Sequence, residues 1–331
     1  MSLLSSTFKL KIFFPPMAKI LIAGGTGLIG TALSRVLVEK GYQVTILSRN
    51  PSNAAWLPGD ISQGPGSGIQ FARWNIEKQT IDRNVIEQSD YIIHLAGAGI
   101  ADKRWSDIRK TEIRSSRIRS SQLLVKSLRE IPNGVKAVVS ASAIGWYGAG
   151  GEPSSGFIET DPPDKDFLGE TCRLWEESIE PVTALSKRLV KIRTGIVLSM
   201  EGGALSEFKK PIKLGIAAIL GNGKQIISWI HIEDLCRIYL ESIRNENWNG
   251  VINAVAPQSV NNKRLTIELA RKLKGRFFIP LYIPPFVLRL LLGEMSIEVL
   301  KSAKVSAQKL HEAGFQFLYP GVEAALYDLT K

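Results

Sequence analysis

Two cysteines in 331 residues, Cys172 and Cys236, leave no room for a disulfide framework and fit free thiols in a reducing cytoplasm, the expected location. Histidines number only three, and no Cys/His spacing of a zinc site occurs, so no metal is expected. Long apolar runs are missing too. The nearest approach to one, "FFIPLYIPPFVLRLLLGEM" at 277–295, is interrupted by Pro280, Pro284, Pro285 and Arg289, which argues against a membrane span. A Pro-started helix packed on the core or on a partner is expected there, and a second copy could pack at 281–293, which keeps a homodimer open. Acids are scarce relative to bases, 31 against 42, giving a net charge of +11 that favours anionic ligands. The densest basic stretch, "DKRWSDIRKTEIRSSRIRSSQLLVKSLRE", nevertheless carries acids at helical spacing. It reads as a solvated helix face partly turned to a phosphate-bearing ligand, and nucleic acid is not among the expected partners. Residues 1–16, "MSLLSSTFKLKIFFPP", are too short in apolar core for a secretory signal; the expectation is a disordered N-terminal extension with the folded chain starting near Met17.

What is present is an ordinary globular composition, 44% hydrophobic and 22% charged. Apolar runs alternate with helical patterns. Strands are expected at 19–25, 43–50, 69–74, 90–97, 136–143 and 189–199, with helices after Gly27, over about 106–131 and over about 166–186. A loop rich in Pro, Gly and Asn is expected at 50–68. Such alternation implies parallel pairing and right-handed crossovers. The fold class is therefore α/β: a Rossmann-type doubly wound parallel sheet over 17–200, with a smaller C-terminal α/β substrate lobe over 201–331. In that lobe "HIEDLCRIYLESI" reads as a helix and "GVINAVAP" as a strand.

The first strand runs into "GGTGLIG". Gly24, Gly27 and Gly30 stand at the spacing of a dinucleotide turn: one glycine for the tight bend, one for close approach of a pyrophosphate, one for helix–strand packing. Thr26, Leu28 and Ile29 complete the turn and open the helix whose N-terminus would meet the phosphates. The second strand ends in "LSRNP". Where an NAD site carries an acid for the ribose hydroxyl, this chain has Ser48 and Arg49; a guanidinium there suits a 2′-phosphate, so the expected cofactor is NADP(H). Ala96 and Gly97, at the end of the fourth expected strand, join the expected cofactor contacts, and so does Arg117.

Together, "ILIAGGTGLIG", "HLAGAGIADKRW", "SSRIRSSQLL", "SASAIGWYG", "DFLGETCRLWE", "IRTGIVLS", "WIHIEDL" and "GVINAVAPQSVNNK" resemble the atypical short-chain dehydrogenase/reductases known as epimerase family proteins. The ending "FVLRLLLGEM…LHEAGFQFLYPGVEAAL" resembles that group's C-terminal domain of unknown function. The resemblance covers roughly 17–326. It implies a Rossmann core with an incomplete catalytic set: Ser142 as the retained serine, Leu168 at the tyrosine position, Cys172 at the lysine position and Arg117 in place of an asparagine. Relatives tend to carry a Pro before Lys-Leu where this chain has "SAQKL".

The residues themselves agree that the usual pair is missing. Only Tyr327 is followed by a lysine four positions on, at the very end of the chain. Substitutes for catalysis are Ser142 as hydrogen-bond donor to a carbonyl, Tyr147 as proton donor beyond the fifth expected strand, Arg117 as oxyanion or carboxylate partner, and Cys172 as a thiol. His231 is read as a structural hydrogen-bonder ahead of a helix, and Asp234 as a charge on that helix's first turn. Two functions remain in competition: an NADP(H)-dependent reductase or epimerase acting on a small polar or sugar-like substrate, and a non-catalytic NADP(H)-binding regulatory module. Nucleic-acid binding through the basic helix is a third and weaker option.

Overall fold

The computed structural model describes residues 18–51, 69–148 and 155–331. The expected extension at 1–16 and most of the loop at 50–68 lie outside them.

Eight strands form one sheet: β1 (Lys19–Ala23), β2 (Gln43–Ser48), β3 (Ile69–Asn75), the two-residue β4 (Thr80–Ile81), β5 (Tyr91–His94), β6 (Ala137–Ala143), β7 (Arg188–Thr194) and, much later in the chain, β12 (Gly250–Ala254). Their order is β12-β7-β6-β5-β1-β2-β3-β4, and every pairing is parallel except β3 with β4. The chain leaves β1 toward β2 and, after β4, returns to the other side of β1 with β5. This reversal opens a crevice at the carboxyl ends of β1 and β5. Between these strands run α1 (Leu28–Glu39), α2 (Arg83–Glu87), α3 (Asp107–Glu130), α4 (Phe167–Ile179), α5 (Ala204–Lys213) and α6 (Ile232–Arg244).

Hydrophobic alternation decides which face each helix covers. Ile20, Ile22, Val44 and Ile46 pack with Leu33 and Leu37 of α1 and with Leu235, Ile238 and Tyr239 of α6. Leu21, Ala23 and Leu47 point the other way, into a second core with Leu123, Leu124 and Leu128 of α3 and Ile179 of α4. Burying each of these Leu or Ile side chains is worth about 1.5–3 kcal/mol, so the sheet is held from both faces.

Four expectations need correction. The strand expected at 189–199 breaks at Gly195, where a Cβ would stand 2.8 Å from the Ser228 carbonyl oxygen. Beyond the break, β8 (Ile196–Leu198) leaves the large sheet and pairs with β11 (Trp229–His231). The helix expected to 186 ends at Ile179 and continues as a 3₁₀ turn, Glu180–Leu185, with Pro181 in its opening turn. "GVINAVAP", expected in the C-terminal lobe, supplies β12 to the large sheet beside β7, so the sheet runs across the division proposed at 200. Finally, the Pro-started helix expected within 277–295 is present but begins only at Pro285, and the residues before Pro284 form a strand.

The part of the chain outside the sheet comprises β9 (Ile216–Leu220), the short antiparallel pair β10 (Ile226–Ile227) and β13 (Val260–Asn261), α7 (Asn262–Lys274), β14 (Ile279–Ile283), α8 (Pro285–Leu292), α9 (Ser296–Leu300), α10 (Gln308–Glu312) and α11 (Val322–Leu329). In the 277–295 stretch the residues before Pro284 form β14, paired in parallel with β9, and the helix starts only at Pro285 with Leu288 as its one buried side chain. Phe277, Ile279, Leu281, Phe286, Leu290 and Leu291 are exposed. The Ile279 amide donates to Gly215 and the Ile283 carbonyl accepts from Gly221, so Pro280 and Tyr282 turn their backbone to the open edge. Lys301 Nζ, 2.8 Å from Asp166 Oδ2 at the start of α4, pins this region to the Rossmann core. No helix among the described residues is long and apolar enough to cross a membrane.

A chain terminated after Met200 loses β12 and α6, leaving β7 as an edge and the α6 side of the core open. Such a truncation is expected to aggregate or to melt without a cooperative transition in circular dichroism. A cooperative melt matching the full chain's would establish 17–200 as a self-sufficient domain.

Candidate functional site

The glycine turn sits at the crevice. Gly24 has φ 85°, and a Cβ there would lie 2.7 Å from the carbonyl carbon of Leu95, so the loops after β1 and β5 touch only because this residue has no side chain. At Gly30 a Cβ would meet the Gly24 carbonyl oxygen at 2.3 Å, which is the helix–strand closeness expected of the third glycine. Thr26 and Gly27 are exposed. The N-terminus of α1 receives no side-chain cap and has no acid in its first turn, so its amides and dipole are free to meet an anion. Leu28 and Ile29 are partly buried below.

Beside this turn, the Ser48 hydroxyl accepts the Asn50 amide at 3.1 Å and shapes the end of β2. Arg49 follows, exposed. Ala96 is buried and Gly97 exposed at the end of β5. Arg117, buried on α3, donates to the carbonyls of Ala98 (3.0 Å) and Ile113 (2.8 Å), and its guanidinium stacks 5.0 Å over Trp175. A Cβ on Gly97 would stand 3.0 Å from its Cζ. Arg117 therefore supports the loop after β5 from beneath. The groups expected to hold a dinucleotide, its pyrophosphate and an added phosphate thus all lie at one edge of the sheet, and they fit such a ligand.

The groups expected to do chemistry are placed differently. A Cβ on Gly145 would meet Leu168 Cβ at 3.2 Å and Cys172 Sγ at 3.8 Å, so the two positions matched to the missing tyrosine and lysine do face the end of β6. They bring no charge there. Burial, with Glu176 nearby, pushes the Cys172 thiol up to about 12, and Arg117 only partly opposes this. Cys172 is a protonated core thiol at neutral pH.

Ser142 and Tyr147 belong to a buried polar network. The Ser142 hydroxyl donates to Glu176 Oε1 at 2.7 Å. Arg193, on β7, donates from Nε to the same oxygen at 2.8 Å and from Nη2 to Oε2 at 3.1 Å. Its Nη1 donates to the Tyr147 hydroxyl at 3.0 Å, which in turn donates to Asn253 Oδ1 on β12 at 2.6 Å. The Asn253 amide donates to Glu159 at 2.9 Å, while its Nδ2 is buried without a partner. The guanidinium also lies 3.6 Å over the Trp146 ring. Arg193, Ser142 and Glu176 are 2%, 3% and 5% exposed, so this ion pair is made in a low dielectric and each member depends on the other. The Tyr147 phenol is likewise closed off: burial raises it to about 12, with Arg193 pulling the other way. As placed, neither hydroxyl is offered to the crevice.

Sequence reading missed Glu176, Arg193, Asn253 and His94. His94, fully buried at the end of β5, shares hydrogen atoms with Ser120 (2.9 Å) and Ser140 (3.3 Å), and burial, then Arg117, lowers it to about 3. His231 is the N-cap of α6, its Nδ1 accepting the Glu233 amide at 3.1 Å, as a structural role requires. Asp234 does more than favour the helix dipole: it accepts the amides of Leu318 and Tyr319 and pairs with Arg237, tying down the C-terminal segment.

A model of the NAD dependent epimerase/dehydratase family matches residues 20–167, and one of a domain of unknown function (DUF1731) matches 283–329. The human epimerase family protein SDR39U1 is 32% identical over 318 residues, spanning 94% of this chain and 99% of that protein. The chain belongs to the epimerase family of atypical short-chain dehydrogenase/reductases. An epimerase family protein of Staphylococcus aureus is 34% identical over 319 residues, covering 95% of this chain and all of the relative. The crystal structure of human SDR39U1 (isoform 2) with NADPH superposes with a TM-score of 0.78 at 30% identity, over 94% of this chain and 99% of that one. Family membership and the doubly wound fold therefore agree.

Arg193→Met would leave the buried Glu176 carboxylate with only the Ser142 hydroxyl and, at 3.9 Å, Lys191 as partners, and is expected to cost up to about 3–5 kcal/mol in urea unfolding. Removing both charges, as Arg193→Met with Glu176→Leu, should recover a large part of that loss. A Ser142→Ala loss of about 1.5–3 kcal/mol would mark the hydroxyl as a structural donor to a charged acceptor. A stable variant would show the bond to be dispensable.

His94 makes a separate prediction. Its folded pKa lies below its unfolded value of 6.5, so between about 3 and 6.5 the unfolded chain binds the extra proton. Stability should be level with respect to His94 above pH 6.5 and fall below it, by at most about 1.4 kcal/mol per pH unit. His231 is lowered as well, mainly by burial, and adds a slope of the same sign. Unfolding free energies from pH 8 to 5.5 should therefore fall less steeply in His94→Gln than in the native chain.

Proposed function

We propose that the chain is an NADP(H)-binding member of the family that retains its dinucleotide site and lacks the usual proton-transfer pair. The observation that carries the reading is the uncapped α1 N-terminus behind Gly24, with Arg49 and no acid at the end of β2. The NADPH in the human relative's structure supports the choice of cofactor. When bound, the nicotinamide supplies hydride chemistry at C4. The reaction class that fits is reduction, or epimerisation, of a small polar or sugar-like substrate, with Leu168 and Cys172 giving no proton relay to it. An epimerisation cycle must oxidise and then regenerate its cofactor, so the missing base weighs more heavily against it than against simple reduction.

A specific observation favours a second reading, in which the protein binds NADP(H) and signals its redox state without turnover. Ser142, Tyr147 and Cys172, the side chains that could replace the pair, are tied to Glu176, tied to Asn253 and buried, respectively.

Calorimetry followed by stopped-flow oxidation of NADPH against a panel of carbonyl compounds separates the two. Micromolar or tighter NADPH binding with hydride loss that disappears in Ser142→Ala supports the reductase. Equal binding with no loss across the panel supports the module. No heat with either NADPH or NADH removes both.

A further inference from the structure

The cofactor reading leaves the added phosphate with one ligand, Arg49. We propose that Arg73 of β3 is a second ligand of the 2′-phosphate and shares with Arg49 the discrimination between NADPH and NADH; this rests on the NADP(H) reading above.

The placement follows from register. β2 and β3 run parallel, and Ser48, the last residue of β2, is the cross-strand partner of Arg73. Neighbouring strands lie about 4.8 Å apart, and residues in register share a face. Ser48 continues the row of Val44 and Ile46, and Arg73 the row of Ile69 and Phe71. Both rows pack in the core beneath α1. At Ser48 and Arg73 the apolar pattern stops, on the face of the sheet that α1 covers, the helix whose N-terminus would face the pyrophosphate.

Arg49 is the residue after Ser48 and is exposed. It lies close enough to Glu112 of α3 to help hold that carboxyl below its ordinary range, after Arg109, which hydrogen-bonds it, and Lys103. Arg49, next in the chain after Ser48, and Arg73, in register with Ser48, thus bring two guanidinium-bearing residues to the end of β2.

Arg73 has no competing duty. It is exposed, and no hydrogen bond, ion pair or ring contact of its side chain occurs among the described residues. The acids that follow it are engaged elsewhere: Glu77 pairs with Arg119 at 2.8 Å, and Asp82 meets Arg73 only through its backbone amide while its carboxylate caps α2 by accepting the Asn84 amide. An arginine ending an otherwise apolar strand face, unpaired beside a serine, suits a doubly charged phosphoryl group, which accepts from two guanidiniums at once.

The test is calorimetry on the full chain with NADPH, NADH, 2′,5′-ADP and 5′-AMP as probes. Arg73→Ala should weaken NADPH and 2′,5′-ADP by roughly 10–100-fold and leave NADH and 5′-AMP within about twofold. Arg73→Lys should restore part of the loss, and the NADPH affinity of the native chain should fall with salt more steeply than that of Arg73→Ala. Unchanged NADPH affinity in Arg73→Ala, with a loss in Arg49→Ala, would overturn the role of Arg73 and leave the cofactor reading intact. Equal losses for NADPH and NADH would overturn it too, since they would mark a general effect on the strand. Absence of any binding by the native chain would instead remove the cofactor reading itself.

Discussion

A carboxylate and a guanidinium stripped of water organise the part of this molecule around β6, β7 and α4. Glu176 and Arg193 come from a helix and a strand, and neither could be buried alone without a penalty of several kcal/mol. Their pairing fixes α4 against β7. The spare hydrogen-bonding capacity of the pair then decides the orientation of Ser142 on β6 and Tyr147 after it. Through Tyr147 the constraint reaches Asn253 on β12. One ion pair thus registers β6, β7 and β12 with the helix that, in a complete short-chain reductase, would carry the tyrosine and lysine.

The proposed function separates dinucleotide binding from proton transfer on physical grounds. Dinucleotide binding uses backbone: glycines where no Cβ fits and amides at a helix start. Those features are set by the turn and are indifferent to what lies on α4. Proton transfer uses side chains whose protonation must change at working pH. Here the equivalents are an aliphatic group, a thiol and a phenol both raised to about 12, and a hydroxyl committed to a carboxylate. A low-dielectric network that holds its protons firmly is well suited to rigidity and poorly suited to exchange.

Much of the fold was legible because its signals are local. The run "KILIAGG" before a helical pattern, and the alternation through β6, specify strand, turn and helix within a few residues. The position of β12 was not legible, since its partner β7 lies more than fifty residues earlier in the chain and apolar strands do not announce their neighbours. The break at Gly195 was hidden for a similar reason: the obstacle is the Ser228 carbonyl, distant in sequence. For the candidate site, the glycine turn between β1 and α1 was legible as a turn, and Arg49 as the residue that follows β2. Tyr147 lies just past the end of β6, where the sequence placed it, but its hydroxyl's direction depends on Asn253. Arg193 carried a signal that went unused: a lone arginine in "LVKIRTG", a strand apolar enough to be buried, requires an acid, and Glu176 on a neighbouring helix is that acid.

Pro280 gives the outer strand of the C-terminal region a further property. Exposed apolar side chains flank it, yet the backbone it turns outward has no donor at the second position of β14, so a neighbouring strand would find the outer ladder broken there, with Tyr282 as the remaining outward donor. An edge lined with apolar side chains thus carries, in one ring, a gap in the donors that a fibre-forming cross-strand zipper would need.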